Sequence, residues 1–126
     1  MIGYATLGTN DLERASGFYD ALLAEIGATR IMADDHITVW GTKPGNGMLA
    51  VIKPYNGEKA TVGNGSMAAI LVDNPETVSK LHAKALSLGG ADEGAPGPRG
   101  SGQMDFGYCR DLEGHKLAFY CMNKRA

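Results

Sequence analysis

Apolar and polar positions follow two rhythms along this chain, and the rhythms recur in the same order twice. Residues 2–9 read as a strand. Leu12, Ala15, Tyr19, Leu22 and Ile26 then recur at steps of three and four, flanked by Phe18 and Leu23. That spacing predicts a helix with one apolar stripe laid on a sheet. Asn10 or Asp11 is placed to cap it, Glu13 stands three after Asn10 as in a capping box, and Gly27 ends it. Runs near 28–33, 36–42 and 47–54 predict three more strands, closed by Pro54 and Gly57.

The second half repeats the plan. A strand is predicted near 66–73, and Asn74 caps a helix whose first position is Pro75, where no N–H is needed. Val78, Leu81, Ala85 and Leu88 form its inner stripe, and Gly89-Gly90 stops it. The glycine- and proline-rich stretch 91–102 predicts a mobile loop with room for a short strand. Strands near 103–110 and 116–122 complete the module. The fold class is therefore α+β: one domain over 1–126, built of two tandem βαβββ modules at about 1–57 and 64–126. Together they predict a cupped mixed β-sheet with helices on its outer face.

The halves are also similar residue by residue. Shifted by 63 positions, Tyr4-Ala5-Thr6-Leu7 falls on Met67-Ala68-Ala69-Ile70, Phe18 on Leu81, and Gly27-Ala28 on Gly90-Ala91. Gly47 to Ile52 echoes His115 to Tyr120. Such doubling points to modules related by a pseudo-twofold axis.

Strand alternation sorts side chains between two faces. Leu7, Leu49, Val51, Ile70, Leu117 and Phe119 suit the side covered by helices. The opposite parity holds Tyr4, Thr6, Trp40, Ala50, Met67, Ala69, Phe106, Tyr108, Ala118 and Tyr120. This second face is apolar, aromatic and small by turns. It either lines a ligand pocket or packs as a second core or dimer contact.

Composition narrows the partners. A formal charge of −2 without a basic run gives no footprint for nucleic acid. No apolar run has the length of a bilayer span. No signal-peptide pattern opens the chain, so a cytoplasmic protein is expected. The glycine clusters do not precede helices as phosphate-cradling loops do, which disfavours dinucleotides.

Asn10-Asp11-Leu12-Glu13-Arg14-Ala15 with Phe18-Tyr19, Gly89-Gly90-Ala91-Asp92 with the loop to Arg99, and the turn Arg110 to His115 together resemble the vicinal oxygen chelate superfamily. That superfamily includes glyoxalase I, bleomycin-resistance proteins and extradiol dioxygenases. The resemblance implies paired βαβββ modules, a cupped sheet and often a homodimer. It also implies a divalent metal in the cup, held by His on the first strand and Glu on the last strand of each module. Here those positions carry Tyr4 and Met67, and Ala50 and Ala118. A methyl group ligates nothing, a thioether suits soft ions, and a phenol binds a metal as its anion. No metal and no other cofactor is therefore expected.

The remaining polar residues show no catalytic constellation. His36 falls near a strand end with cup parity, either reaching a ligand or solvated at the rim. His82 is expected between core and solvent, and His115 exposed. Their scatter has no zinc-ligand spacing. Tyr4, Tyr108 and Tyr120 offer rings with hydrogen-bonding tips, and Trp40 either walls the cup or fills the core. Arg99 either clamps an anionic group from the loop or stands solvated. Lys116 shares the parity of Ala118. Cys109 and Cys121 are offset by about four residues, roughly 13 Å along the hairpin, too far for a disulfide. They read as small buried apolar groups in a reducing compartment.

The expected function is metal-free binding of a small, partly apolar molecule by Tyr4, Thr6, Trp40, Ala50, Met67, Arg99, Phe106, Tyr108, Ala118 and Tyr120, in a homodimer. Sequestration as in bleomycin resistance fits, although that class takes cationic drugs in acidic clefts and little acid is found here. Two alternatives stay open. One is an enzyme, either a lyase or isomerase without metal, or a glyoxalase-like or dioxygenase-like metalloenzyme with ligands elsewhere. The other is a structural dimer with a filled cup. No catalytic residue is assigned.

Overall fold

A computed structural model describes residues 1–123. Two compact units divide the chain, Met1–Val62 and Gly63–Ala126. Unit 1 contains β1 (Tyr4–Gly8), α1 (Leu12–Ala24), β2 (Thr29–Ala33), β3 (Ile37–Gly41) and β4 (Met48–Ile52). Unit 2 contains β5 (Met67–Leu71), α2 (Pro75–Ser87), β6 (Ala91–Arg99), β7 (Met104–Arg110) and β8 (Lys116–Met122). Each unit has its own four-stranded mixed sheet, ordered β1-β4-β3-β2 and β5-β8-β7-β6. Among the described residues no helix is long and apolar enough to cross a membrane.

Helix α1 starts where Asp11 accepts a hydrogen bond from the Arg14 N–H at 3.1 Å, satisfying one of the orphan donors of the first turn. Asn10 does not cap. Its amide pairs instead with the backbone of Ala60, donating at 3.1 Å and accepting at 2.7 Å, and so ties the end of unit 1 to the start of its helix. The predicted stripe faces the sheet: Ala15, Phe18, Tyr19, Leu22 and Leu23 are buried. Inside this interface the hydroxyls of Ser16 and Thr38 share a buried hydrogen bond of 2.9 Å.

Helix α2 follows the sequence expectation closely. The Asn74 side chain accepts from the Thr77 N–H at 2.8 Å, Pro75 opens the first turn, and Val78, Leu81, His82 and Ala85 are buried. The stop at Gly89-Gly90 has a steric cause. Gly89 has φ of +99°, and a Cβ on Gly90 would lie 2.8 Å from the carbonyl oxygens of both Ala85 and Arg110. On the sheet, Cys109, Leu117, Phe119 and Cys121 are fully buried. The cysteines are free, and Cys109 stands opposite Leu117 as the turn predicts.

The stretch expected as a mobile loop is mostly strand. β6 runs for nine residues along the sheet edge, with register shifts between Asp92 and Gly94 and between Gly94 and Gly97. An edge strand tolerates Pro96 and Pro98 because one side of its ladder needs no donors. The shifts break the two-residue rhythm that would reveal it.

Candidate functional site

Strand register assigns each predicted site residue to a face. In unit 2, β5 runs parallel to β8 with Ala69 opposite Ala118 and Met67 opposite Lys116. β7 runs antiparallel to β8 with Tyr108 opposite Ala118 and Phe106 opposite Tyr120. Bridge partners share a face, so Met67, Ala69, Phe106, Tyr108, Lys116, Ala118 and Tyr120 all lie on the side opposite α2. Arg99, at the end of β6, joins them across the Tyr108 ring.

The aromatic side chains form a band. Phe106 stacks on Tyr120 with centroids 5.1 Å apart and planes 10° apart, and on Tyr108 at 5.6 Å and 8°. β6 makes room for this band, since Gly94 stands opposite Tyr108 and Gly97 opposite Phe106. A Cβ on Gly94 would come within 2.9 Å of the Tyr108 ring. The Lys116 Nζ lies 5.0 Å from the Tyr108 centroid and the Arg99 guanidinium carbon 5.8 Å from it, both in cation–π range. Beside the band, Ala118 is fully buried.

Unit 1 presents the equivalent face with different chemistry. Tyr4 stands opposite Met48, and Thr6 opposite Ala50. These residues lie opposite α1, as predicted. Trp40 does not join them. Val39 stands opposite Ala50, while Trp40 stands opposite Leu49 on the helix side. There Trp40 packs on Tyr19 at 5.6 Å, and its Nε1 donates to Asp20 at 2.8 Å. The six-residue connection 42–47 flips strand parity relative to the five-residue turn 111–115, and this reverses the expectation for Trp40. Comparing hairpin lengths between the halves gives the signal that identifies Val39.

Electrostatics separate the two faces of unit 2. Asp92 points to the α2 side, where its Oδ1 bonds the His82 ring at 2.9 Å and accepts from the Gly94 N–H at 2.9 Å. The Gly94 N–H, then the His82 bond, hold its carboxyl below the ordinary carboxylate range. Asp105 also lies on the α2 side, opposite Cys121, and accepts from Asn123 at 2.6 Å. His115, expected exposed, is 9% exposed. The Asp111 side chain accepts its backbone N–H at 2.9 Å and folds the turn inward. His36 is exposed, its N–H bonded to Asp34.

The positions at which the resemblance places metal ligands do not fit a divalent ion. Tyr4 and Ala50 in unit 1, and Met67 and Ala118 in unit 2, supply no carboxylate, imidazole or thiolate. Among the described residues no three His, Cys, Asp or Glu side chains group as a metal site. A separate open depression of about 690 Å³ lies at the start of α1, lined by Asp11, Glu13, Arg30, Asp34, Asp35 and Lys53 among others. None of the predicted site residues lines it.

Comparison with known proteins agrees with this architecture. The family model for the glyoxalase/bleomycin resistance protein/dioxygenase superfamily matches residues 1–119. A glyoxalase/bleomycin resistance protein from Albidiferax ferrireducens T118 is 33% identical, with a TM-score of 0.88 over 96% of this chain and 98% of that one. A glyoxalase-related enzyme from Fulvimarina pelagi is 21% identical, with a TM-score of 0.75 over 96% and 87% of the two chains. A glyoxalase I mutant from Zea mays is 23% identical, with a TM-score of 0.72 over 98% of this chain and 45% of that one. No curated protein sequence matches. With the family model spanning nearly the whole chain, and with both βαβββ units in place, the chain belongs to the glyoxalase/bleomycin resistance protein/dioxygenase superfamily.

Proposed function

We propose that this chain binds a small, partly apolar molecule without a metal, on the face of unit 2 opposite α2. The observation that carries the reading is the stacked row Tyr108–Phe106–Tyr120, bordered by the methyl groups of Ala69 and Ala118. The ring edges of this row offer an apolar surface against which another aromatic group can pack edge-to-face, each aromatic contact adding about 0.5–1.5 kcal/mol beyond burial. The phenol tips of Tyr108 and Tyr120 supply hydrogen bonds for orientation. Methyls at Ala50 and Ala118, where the superfamily resemblance puts carboxylates, support a site that works without an ion.

The same reading takes the protein as a cytoplasmic homodimer. Two free, buried cysteines support a reducing compartment. The exposed side chains of Ile31, Met32 and Met48 in unit 1 offer apolar surface to a second copy.

The test uses protein treated with EDTA and the neutral planar probe 1-naphthamide. Equilibrium dialysis is expected to give saturable binding, and thermal melts a concentration-dependent rise in Tm. Phe106→Ala should weaken binding about tenfold. Binding that appears only after Zn, Ni or Fe is added would overturn the reading.

A further inference from the structure

We infer that the molecule bound by this face is a planar aromatic carboxylate, with its ring on the Tyr108–Phe106–Tyr120 band and its anionic group held by Arg99 and Lys116. The inference rests on the binding reading above and adds to it the charge of the ligand.

The argument is one of unmatched charge. Salt bridges join Arg30 with Asp20 and Arg110 with Glu93, and Asp92 bonds the His82 ring. Arg99 and Lys116 are in none of them. Arg110, which shares the Lys116 row on this face, is neutralised by Glu93 at 2.7 Å. Of the acidic residues on β6 and β7, Asp92 and Asp105 point to the α2 side and Glu93 is paired with Arg110. A chain with a net charge of −2 thus carries two uncompensated cations around one tyrosine ring.

Arg99 is also held in place for an anion. Its Nη1 donates to the carbonyls of Gly97 at 3.0 Å and Pro98 at 3.2 Å, and its Nη2 to that of Ala95 at 2.7 Å. Neutral carbonyls fix the guanidinium without cancelling its charge. These three bonds use three of its five donor hydrogens, leaving Nε–H and one other. A carboxylate is the planar two-oxygen acceptor that such a fork recognises. Lys116, a point charge on a flexible stem, approaches the same ring from the adjacent strand. A cationic ligand would meet like charge here, and a neutral one would leave both cations unused.

The test compares 1-naphthoate with its neutral isostere 1-naphthamide and with 1-naphthylmethylammonium, by calorimetric titration of the full chain in EDTA. Naphthoate is expected to bind about tenfold or more tightly than the amide, and the ammonium compound more weakly than both. Arg99→Gln and Lys116→Gln should each pull the naphthoate-to-naphthamide affinity ratio toward one, with folding checked by thermal melts. Arg99→Lys, which keeps the charge and loses the fork, should give an intermediate ratio. Equal affinity for acid and amide in the unaltered protein would overturn this inference and leave the apolar site standing. Absence of binding by all three probes would overturn both.

Discussion

Trp40 donates its indole N–H to Asp20 across 2.8 Å, and the bond ties β3 to α1. The only tryptophan of the chain is thereby a core residue, 1% exposed, on the α1 side of its own sheet. Trp40→Phe removes the bond and part of the ring volume. The expected loss is about 1–3 kcal/mol in urea unfolding, with 1-naphthamide affinity unchanged. A large drop in affinity with stability preserved would put Trp40 back in the ligand site.

Asp20 makes the stability of unit 1 depend on pH. Its carboxylate takes two bonds from Arg30, at 2.9 and 2.8 Å, besides the one from Trp40. The Arg30 bond chiefly, with help from Trp40 and against partial burial, holds its pKa below the ordinary 3.8. A lowered native pKa means that the unfolded chain binds the proton more readily. The contribution is therefore fully present above the ordinary value, and it is lost as pH falls through the lower native one. Both partners are nearly half exposed, so the effect is small. Unfolding midpoints measured from about pH 6 down to about pH 2 should show a shallower acid decline in Asp20→Asn than in the parent.

The Ser16–Thr38 contact is a buried hydroxyl pair in an otherwise apolar interface. Removing one partner strands the other, and Ser16→Ala or Thr38→Val alone should each cost about 1–3 kcal/mol. The double variant should cost less than the sum, because two apolar groups of similar shape replace a satisfied pair. A double-mutant cycle with no coupling energy would contradict the bond.

Much of this architecture is legible in the sequence. The three- and four-residue spacing from Leu12 to Ile26 marks α1, and Asn74-Pro75 marks the start of α2 to the residue. Alternation assigns Leu49, Val51, Leu117 and Phe119 to the helix side correctly, and Phe106, Tyr108, Ala118 and Tyr120 to the other. Parity fails where loop length intervenes. An odd residue, Val39, stands opposite the even Ala50 in one hairpin, whereas two even residues, Tyr108 and Ala118, stand opposite in the other. β6 is hidden by glycines, prolines and two register shifts. The inward fold of His115 comes from Asp111 gripping the turn, and no local pattern announces it. Lys116 and Arg99 meet over Tyr108 only because two different strands deliver them to one ring.

Cys109 is inert in the folded protein. Burial first, then the nearby charge of Asp111 and Asp92, push its thiol up from an ordinary 9.0 to about 12. Burial likewise pushes up Cys121, which lies on the same side of the sheet. Reactivity requires the thiolate and access to it, so neither thiol should be alkylated in native protein near pH 8. Both should react once the chain is unfolded. Rapid native labelling of either would contradict their place beneath α2.

The ligand face can be observed directly through the methyl groups of Ala69 and Ala118, the smallest side chains beside the aromatic band. The measurement is a methyl NMR titration with 1-naphthamide in EDTA, on protein labelled at alanine. Ring currents from a bound naphthyl group should move these two signals together and saturably, while the Trp40 indole N–H signal stays still. Shifts that bypass both methyls, or that begin only when a divalent ion is supplied, would contradict the account.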